Sequence, residues 1–274
     1  MLIAILSCLS ALLALLGCDF SGLHWLWQLP LIFVGAFLGL VALAFGFFVL
    51  MCNIVDLSKP ASDSPFYRAM AHLYVAAVIP FLGIRFHTEG LEKTPKEGRF
   101  LLVCNHTHEA DPVVLLHFFK KSHLAFVSKR ENRTMFVVGK LMHKLLCQLI
   151  NRENDREALK TIINCIRLIQ EDKASIGVFP EGYIHGDEKL HPFRSGVFKI
   201  AQKTKVPIVV CTLQNTQKVK KNMPHLKPTD VHLHLVGVVQ PEELEGLTTV
   251  DIANRVHAMM AQDLGPELVL QENA

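Results

Sequence analysis

The sequence predicts an α/β fold, a mixed central sheet flanked by helices, preceded by an N-terminal transmembrane helical hairpin. Three observations lead there. Short apolar runs, such as residues 100–104, 175–179 and 206–213, alternate with longer segments of helical periodicity, the pattern of a sheet covered on both faces. Half of the 274 residues are hydrophobic and the excess sits at the N-terminus, where no lysine or arginine occurs before Lys59. Residues 31–52 are uninterrupted apolar chain, long enough as a helix to cross a bilayer core of about 30 Å.

The elements follow in order. Residues 2–17 form a first apolar helix, shorter than a full crossing needs, and Asp19, Ser21 and Gly22 break it from the second. The two are expected to pair as a hairpin with both ends on one side. A signal peptide fits less well, because the charged n-region is missing and a second long apolar segment follows. Leu15-Leu16-Gly17-Cys18 only loosely resembles a lipoprotein cleavage box, Leu16 being a poor fit. Lys59 and Arg68 follow the second span, so the positive-inside rule places the remainder in the cytoplasm, at the cell membrane. Seven cysteines, odd in number and without a Cys-x-x-Cys, suit a reducing compartment.

Residues 56–64 read as a polar linker, and Ser64-Pro65 as a helix start. Phe66, Met70, Leu73 and Ala77 then recur at helical spacing, a stripe suited either to packing on the domain or to the membrane interface. Strands are expected over 84–87, 99–104, 124–128, 175–179, 206–213 and 231–239. Helices are expected over 111–119, 134–147, 196–203 and 249–264. One more starts at Asn154, with Glu157 completing a capping-box pattern. It turns Ala158, Ile162, Cys165, Ile166 and Ile169 inward, and the tail beyond Gly265 is expected to be loose. The chain thus divides into a membrane anchor (1–57), a linker with an amphipathic or interfacial helix (58–83) and an α/β domain (84–274).

The chemistry gathers at strand ends, where open α/β sheets place their ligands. Asn105-His106-Thr107-His108-Glu109-Ala110-Asp111 directly follows the run 100–104. An imidazole takes a proton from a hydroxyl near neutral pH, and a carboxylate on its other nitrogen fixes the tautomer and stabilises the imidazolium. His106 is therefore the candidate general base and Asp111 its orienting partner, with Asn105 bracing the turn or donating a hydrogen bond. No serine or cysteine nucleophile is needed if the substrate brings its own hydroxyl. Cys104 reads as a small buried hydrophobe rather than an acyl-carrying thiol. His106, His108 and Asp111 also hint at a metal site. The familiar metallohydrolase spacing is not matched, however, and His232 and His234 read as an exposed sheet face. Glu181-Gly182 ends another strand; Glu181 is placed to hold a substrate hydroxyl or to order charged groups, and glycine allows close backbone approach. The fork of Arg152 suits phosphate. Lys129 and Arg130 suit lipid headgroups, an acyl carrier or plain solvent. A net charge of +3 is too small to point to nucleic acid; a mildly basic face towards anionic lipid accounts for it.

Taken together, Asn105 to Asp111, Leu149-Ile150-Asn151-Arg152, Val178-Phe179-Pro180-Glu181-Gly182 and Val206-Pro207-Ile208-Val209-Val210 are four blocks in order. With Pro192-Phe193-Arg194-Ser195-Gly196, they closely resemble the glycerolipid acyltransferase superfamily, of the lysophosphatidic acid (1-acyl-sn-glycerol-3-phosphate) acyltransferase type, over roughly residues 85 to 215. The resemblance implies transfer of an acyl chain from acyl-CoA or acyl carrier protein to the sn-2 hydroxyl of a lysophospholipid, lysophosphatidic acid first. It implies His106 as base, no metal and no cofactor, and Asn105, Arg152, Glu181, Gly182 and Arg194 as the substrate-binding set. Oxyanion donors are expected among backbone amides near the strand ends, and the helix 134–147 is a candidate wall for the acyl groove. The chain departs from the pattern in several places. Tyr183-Ile184 replace a frequent Thr-Arg, so that Arg194 or Lys189 would have to supply the missing cation. Cys147 and Asn151 replace a frequent glycine and aspartate, and the second proline of the last block is absent. These changes bear on the acceptor more than on the chemistry. Another lyso-lipid acceptor, a metal-dependent hydrolase and a non-catalytic lipid-binding protein stay open, as does the oligomeric state.

Overall fold

Charge-free apolar helices have no stable place in water, and the N-terminal pair shows why. The computed structural model describes residues 1–270. Helix α1 (Leu2–Gly17) folds back on α2 (Trp25–Asn53) around a turn in which the Asp19 carboxylate accepts from Ser21 N and the Gln28 amide oxygen from Asp19 N. Leu12, Leu38, Leu43 and Phe45 stay exposed on the hairpin, a surface that suits lipid rather than water. At about 1.5 Å per residue, α2 exceeds a bilayer core of about 30 Å and α1 falls short of it.

Helix α3 (Pro65–Val78) buries Tyr67, Arg68, Met70 and Ala71, while Phe66 is half exposed. The buried face is therefore rotated from the Phe66–Met70–Leu73–Ala77 stripe, because α3 has two partners. The Tyr67 and Tyr74 hydroxyls donate to the Met51 and Ala44 carbonyls of α2 at 2.7 and 2.5 Å, with Phe48 stacked on Tyr74. Arg68, read from sequence as a flanking positive charge, instead turns into the domain. It pairs with Asp63 at 2.5 Å and donates to the Leu124 and Leu145 carbonyls, the satisfaction that a buried charge requires.

Seven strands make one sheet: β1 (Ile84–Glu89), β2 (Leu101–Cys104), β3 (Leu124–Lys129), β4 (Gln148–Ile150), β5 (Ser175–Val178), β6 (Ile208–Gln214) and β7 (Thr229–Val239). Their order is β1-β7-β6-β2-β5-β3-β4. All pairs are parallel except β6 with β7, which makes the sheet mixed as expected. The central strands are apolar throughout because helices cover both faces. One core joins Leu101, Val103, Ile176 and Val178 to α6 (Asp155–Gln170), α7 (Lys199–Thr204) and α9 (Thr249–Leu264). The other joins Leu102, Cys104, Val209 and Cys211 to α4 (Asp111–Phe118) and α8 (Thr216–Asn222).

Helix α6 starts at Asn154, whose side chain accepts from Glu157 N, and α9 matches its expected bounds behind the Thr248–Asp251 capping box. The expected helix 134–147 does not form as one piece. A 3-10 turn (Arg130–Thr134) gives way to α5, only Val138–Lys144, and then to β4. Val137 and Leu146 bracket α5 with φ of 64° and 62°, so the chain reverses at both ends. Helix α8 escaped the sequence reading because Lys218, Lys220 and Lys221 leave it little apolar periodicity. The chain after Gly265 is not loose: Leu190 N donates to Leu268 O and Leu270 N to Leu190 O. Residues 271–274, the rest of that tail, lie outside the described residues.

Cations of the α5 region tie it to the chain leaving α2. Lys140 bonds Asn53 Oδ1 at 2.6 Å, Lys144 bonds Ser62 Oγ at 3.1 Å, and Arg133 bonds Leu57 O at 2.7 Å. A small core of Cys52, Val55, Tyr67 and Met70 seals the joint.

Candidate active site

Strands β2 and β5 run parallel and adjacent, with Val103 opposite Val178, so the segments leaving their C-terminal ends emerge together. His106 and Glu181 meet there. Glu181 accepts from His106 N at 2.7 Å through Oε1 and from His191 N at 3.0 Å through Oε2. Burial pushes its carboxyl up to about 7, against the pull of those two amides. Glu181 thus spends an oxygen on each of two loops and orders the site from behind.

Asp111 opens α4 and is fully buried. Its Oδ2 accepts from His106 Nδ1 at 2.9 Å, Thr107 N at 2.8 Å and His108 N at 2.9 Å. Its Oδ1 accepts from the Thr216 hydroxyl at 2.5 Å, and Thr216 Oγ lies 2.9 Å from Thr107 Oγ. The His106 ring stacks on Phe179 with centroids 4.1 Å apart. Nδ1 is taken by the carboxylate, which leaves Nε2 as the nitrogen available to a substrate. The amides of residues 106, 107 and 108 are all committed to carboxylates. An oxyanion hole must therefore draw on donors other than those directly after β2, contrary to the simplest expectation.

Asn105 was expected to touch substrate. It is buried, its Nδ2 donates to Leu213 O at 2.9 Å and its Oδ1 accepts from Leu213 N at 2.7 Å. The side chain imitates a strand and locks the end of β2 to β6, which engages both its amide nitrogen and its oxygen there. His108 Nδ1 accepts from Ala110 N, and no group of three or more His, Cys, Asp or Glu among the described residues is placed to hold a metal. His232 stacks on His87, and His234 bonds Asp263, both on the sheet away from His106.

His106 lines a cavity of about 1470 Å³. Its apolar lining includes Val75 of α3, Leu116 of α4, and Met135, Val138, Met142 and Leu145 around α5. Its lining also carries Lys129, Arg152, Tyr183 and Arg194. The guanidinium carbons of Arg152 and Arg194 lie 4.8 and 5.2 Å from the centroid of the Tyr183 ring. Gly182 has a φ of 85°, and a Cβ there would fall 3.0 Å from Arg194 Nε, so glycine is what lets the arginine pass. Of the two cations offered for the missing arginine, Arg194 lines the cavity, whereas Lys189 is exposed and does not. Lys129 lines the cavity too, but Arg130 faces away and pairs with Glu157 at 3.4 Å. Sequence reasoning missed Thr216, Tyr183 and Phe179 as parts of the site. Tyr183 was visible only as a departure from a motif, and Thr216 carried no signal.

Residues 85–214 match the family model described as Acyltransferase. The chain is 31% identical over 160 residues to a chloroplastic 1-acyl-sn-glycerol-3-phosphate acyltransferase of Brassica napus, covering 56% of this chain and 45% of that protein. It is 28% identical over 167 residues to a 1-acyl-sn-glycerol-3-phosphate acyltransferase of Borreliella burgdorferi, covering 60% and 66%. The chain thus spans between about half and two thirds of these relatives. The crystal structure of a 1-acyl-sn-glycerophosphate acyltransferase from Thermotoga maritima superposes with a TM-score of 0.62 at 21% identity, over 84% of this chain and 90% of that one. At that identity the likeness establishes the fold.

Proposed function

We propose, from the match of residues 85–214 to the acyltransferase family model, that the chain transfers an acyl group from a thioester, on coenzyme A or acyl carrier protein, to the free hydroxyl of lysophosphatidic acid, giving phosphatidic acid. One observation above all supports this. His106, held at Nδ1 by Asp111, lines a largely apolar cavity whose lining also bears two arginines.

His106 Nε2 takes the proton of the glycerol hydroxyl as its oxygen attacks the thioester carbonyl. Asp111 holds the tautomer and balances the imidazolium. The C–S bond breaks, the sulfur leaves with the proton from Nε2, and the ester forms without an acyl-enzyme. Arg152 and Arg194 receive the acceptor's phosphate. Glu181, Gly182 and Asn105 act one layer back, on His106, Arg194 and β6. The acyl chain lies along the α5 side, where each buried methylene contributes about 0.8 kcal/mol.

In this reading, residues 1–57 anchor the chain, 58–83 connect it and 84–274 carry the chemistry. The domain faces the cytoplasm at the cell membrane, a placement supported by Lys59 after α2 and by seven free cysteines. Acceptor and product are both lipids, so a cavity tied to the anchor's exit spares the enzyme the extraction of either. The test offers the purified full-length chain a panel of lysophospholipids with acyl-CoA and with acyl carrier protein, and follows thiol release and the lipid product. Thiol release that depends on lysophosphatidic acid is expected. Release with water as the sole acceptor would point to a hydrolase and sink the proposal.

A further inference from the structure

Two cations held over one aromatic ring need an explanation. Arg152 and Arg194 both lie within 5.2 Å of the Tyr183 centroid, and among the described residues neither forms an ion pair with a carboxylate. Burial lowers the pKa of Arg152, and the neighbouring charge of Arg194 adds to that lowering. Tyr183 supplies much of the compensation, through the negative face of its ring and a side-chain hydrogen bond to Arg152, with the carboxylate of Glu131 adding to it. The ring itself is braced. Tyr183 meets His185 edge-on at 6.3 Å, and His185 stacks on His191 at 3.6 Å. His191 Nε2 lies 2.9 Å from the Asp187 carboxylate, and its backbone N–H donates to Glu181, the residue that also holds His106. The ring is therefore coupled, through one short loop, to the backbone of the proposed base.

A pair of under-neutralised guanidiniums favours a ligand with two negative charges. A phosphate monoester carries about −1.5 to −2 near pH 7, whereas a phosphate diester carries one. We propose that Tyr183 is a positioning residue, its ring gathering Arg152 and Arg194 into a cradle that selects acceptors ending in a phosphate monoester over those whose phosphate is a diester. This deepens the acyl-transfer reading and rests on it.

The test uses the full-length protein with Tyr183→Leu and Tyr183→Phe. The acceptors are lysophosphatidic acid and lysophosphatidylglycerol, at saturating acyl donor. Losing two cation–π contacts in Tyr183→Leu is expected to raise the KM for lysophosphatidic acid roughly five- to thirtyfold. The kcat and donor KM should stay near wild type, and the preference for the monoester should shrink by the same factor. Tyr183→Phe keeps the ring, loses the hydroxyl bonded to Arg152, and should lie far closer to wild type than Tyr183→Leu. An unchanged acceptor KM in Tyr183→Leu overturns the proposal. So does a Tyr183→Phe enzyme as defective as Tyr183→Leu, which would assign the effect to the hydroxyl. So does a joint fall of kcat and rise of donor KM, which would mark mere structural damage. Arg152→Ala and Arg194→Ala separate the two levels. If they raise acceptor KM while Tyr183→Leu does not, phosphate binding stands and the role of Tyr183 falls. If neither moves acceptor kinetics, the acceptor reading falls as well.

Discussion

Replacing Asp111 by asparagine separates charge from geometry, because the carboxylate is bonded so asymmetrically. Three N–H groups, His106 Nδ1, Thr107 N and His108 N, converge on Oδ2 within 2.9 Å, while Oδ1 meets only the Thr216 hydroxyl. An asparagine whose oxygen replaces Oδ2 keeps all three donors. Its amide nitrogen then donates to Thr216 Oγ, whose own hydrogen turns to Thr107 Oγ at 2.9 Å. The opposite rotamer would set an amide NH₂ against three donors. Fold and histidine tautomer therefore survive in Asp111→Asn, and only the negative charge is lost. Two unit charges about 4 Å apart attract by about 4 kcal/mol at an effective dielectric of about 20. That attraction exists only once the imidazolium forms, so kcat should fall roughly a thousandfold. Acceptor KM should stay near the wild-type value. Asp111→Ala leaves the three donors unmet in a fully buried site, at about 1–3 kcal/mol each, and should lower Tm by many degrees. Thiol release and thermal unfolding in detergent read both effects. An asparagine enzyme with kcat within about tenfold of wild type would refute the use of the charge. One that melts like the alanine variant would refute the bonding argument.

His106→Ala should abolish transfer while leaving Tm near wild type, since its side chain supports little beyond Asp111 and Phe179; turnover within about tenfold of wild type removes it as the base. Glu181 makes stability depend on pH. Its carboxyl, ordinarily near 4.5, is raised to about 7 in the folded chain, so the unfolded chain ionises first as pH rises. Stability should therefore fall between about pH 4.5 and 7 and level off above, by on the order of 3 kcal/mol in all. Urea unfolding at about pH 5 and about pH 7.5 should show that component missing from Glu181→Gln, and parallel curves for the two proteins would contradict the assignment. Arg152→Ala should cost about 1.5–3 kcal/mol in acceptor kcat/KM, with Arg152→Lys intermediate because it keeps the charge but loses the fork. The donor KM should barely move, and an equal effect on both substrates would argue against a phosphate contact.

Much of this protein is legible in its sequence because the signals are local. A long charge-free apolar run is written in composition alone, so the two helices of the hairpin needed no tertiary knowledge. The Thr248 cap and the spacing of α9 fix that helix within its own turns. The block from Asn105 to Asp111 keeps imidazole and carboxylate within one loop, so their pairing could be read directly. The remainder depends on which strands lie side by side. Inserting β5 between β2 and β3 brings Glu181 onto the backbone of His106 across 75 residues, and the β6 end brings Thr216 to Asp111 across 105. It also makes Asn105 a strap between β2 and β6. Only packing on α2 reveals which face of α3 is buried, and that Arg68 points inward. The reversal at Leu146 delivers β4 to the sheet edge beside β3, a pairing that periodicity could not announce. Periodicity and charge act over a few residues and are written into the chain. Strand order and register are collective, set by the burial of two apolar faces at once, and so the second half of the site appears only when the sheet has formed.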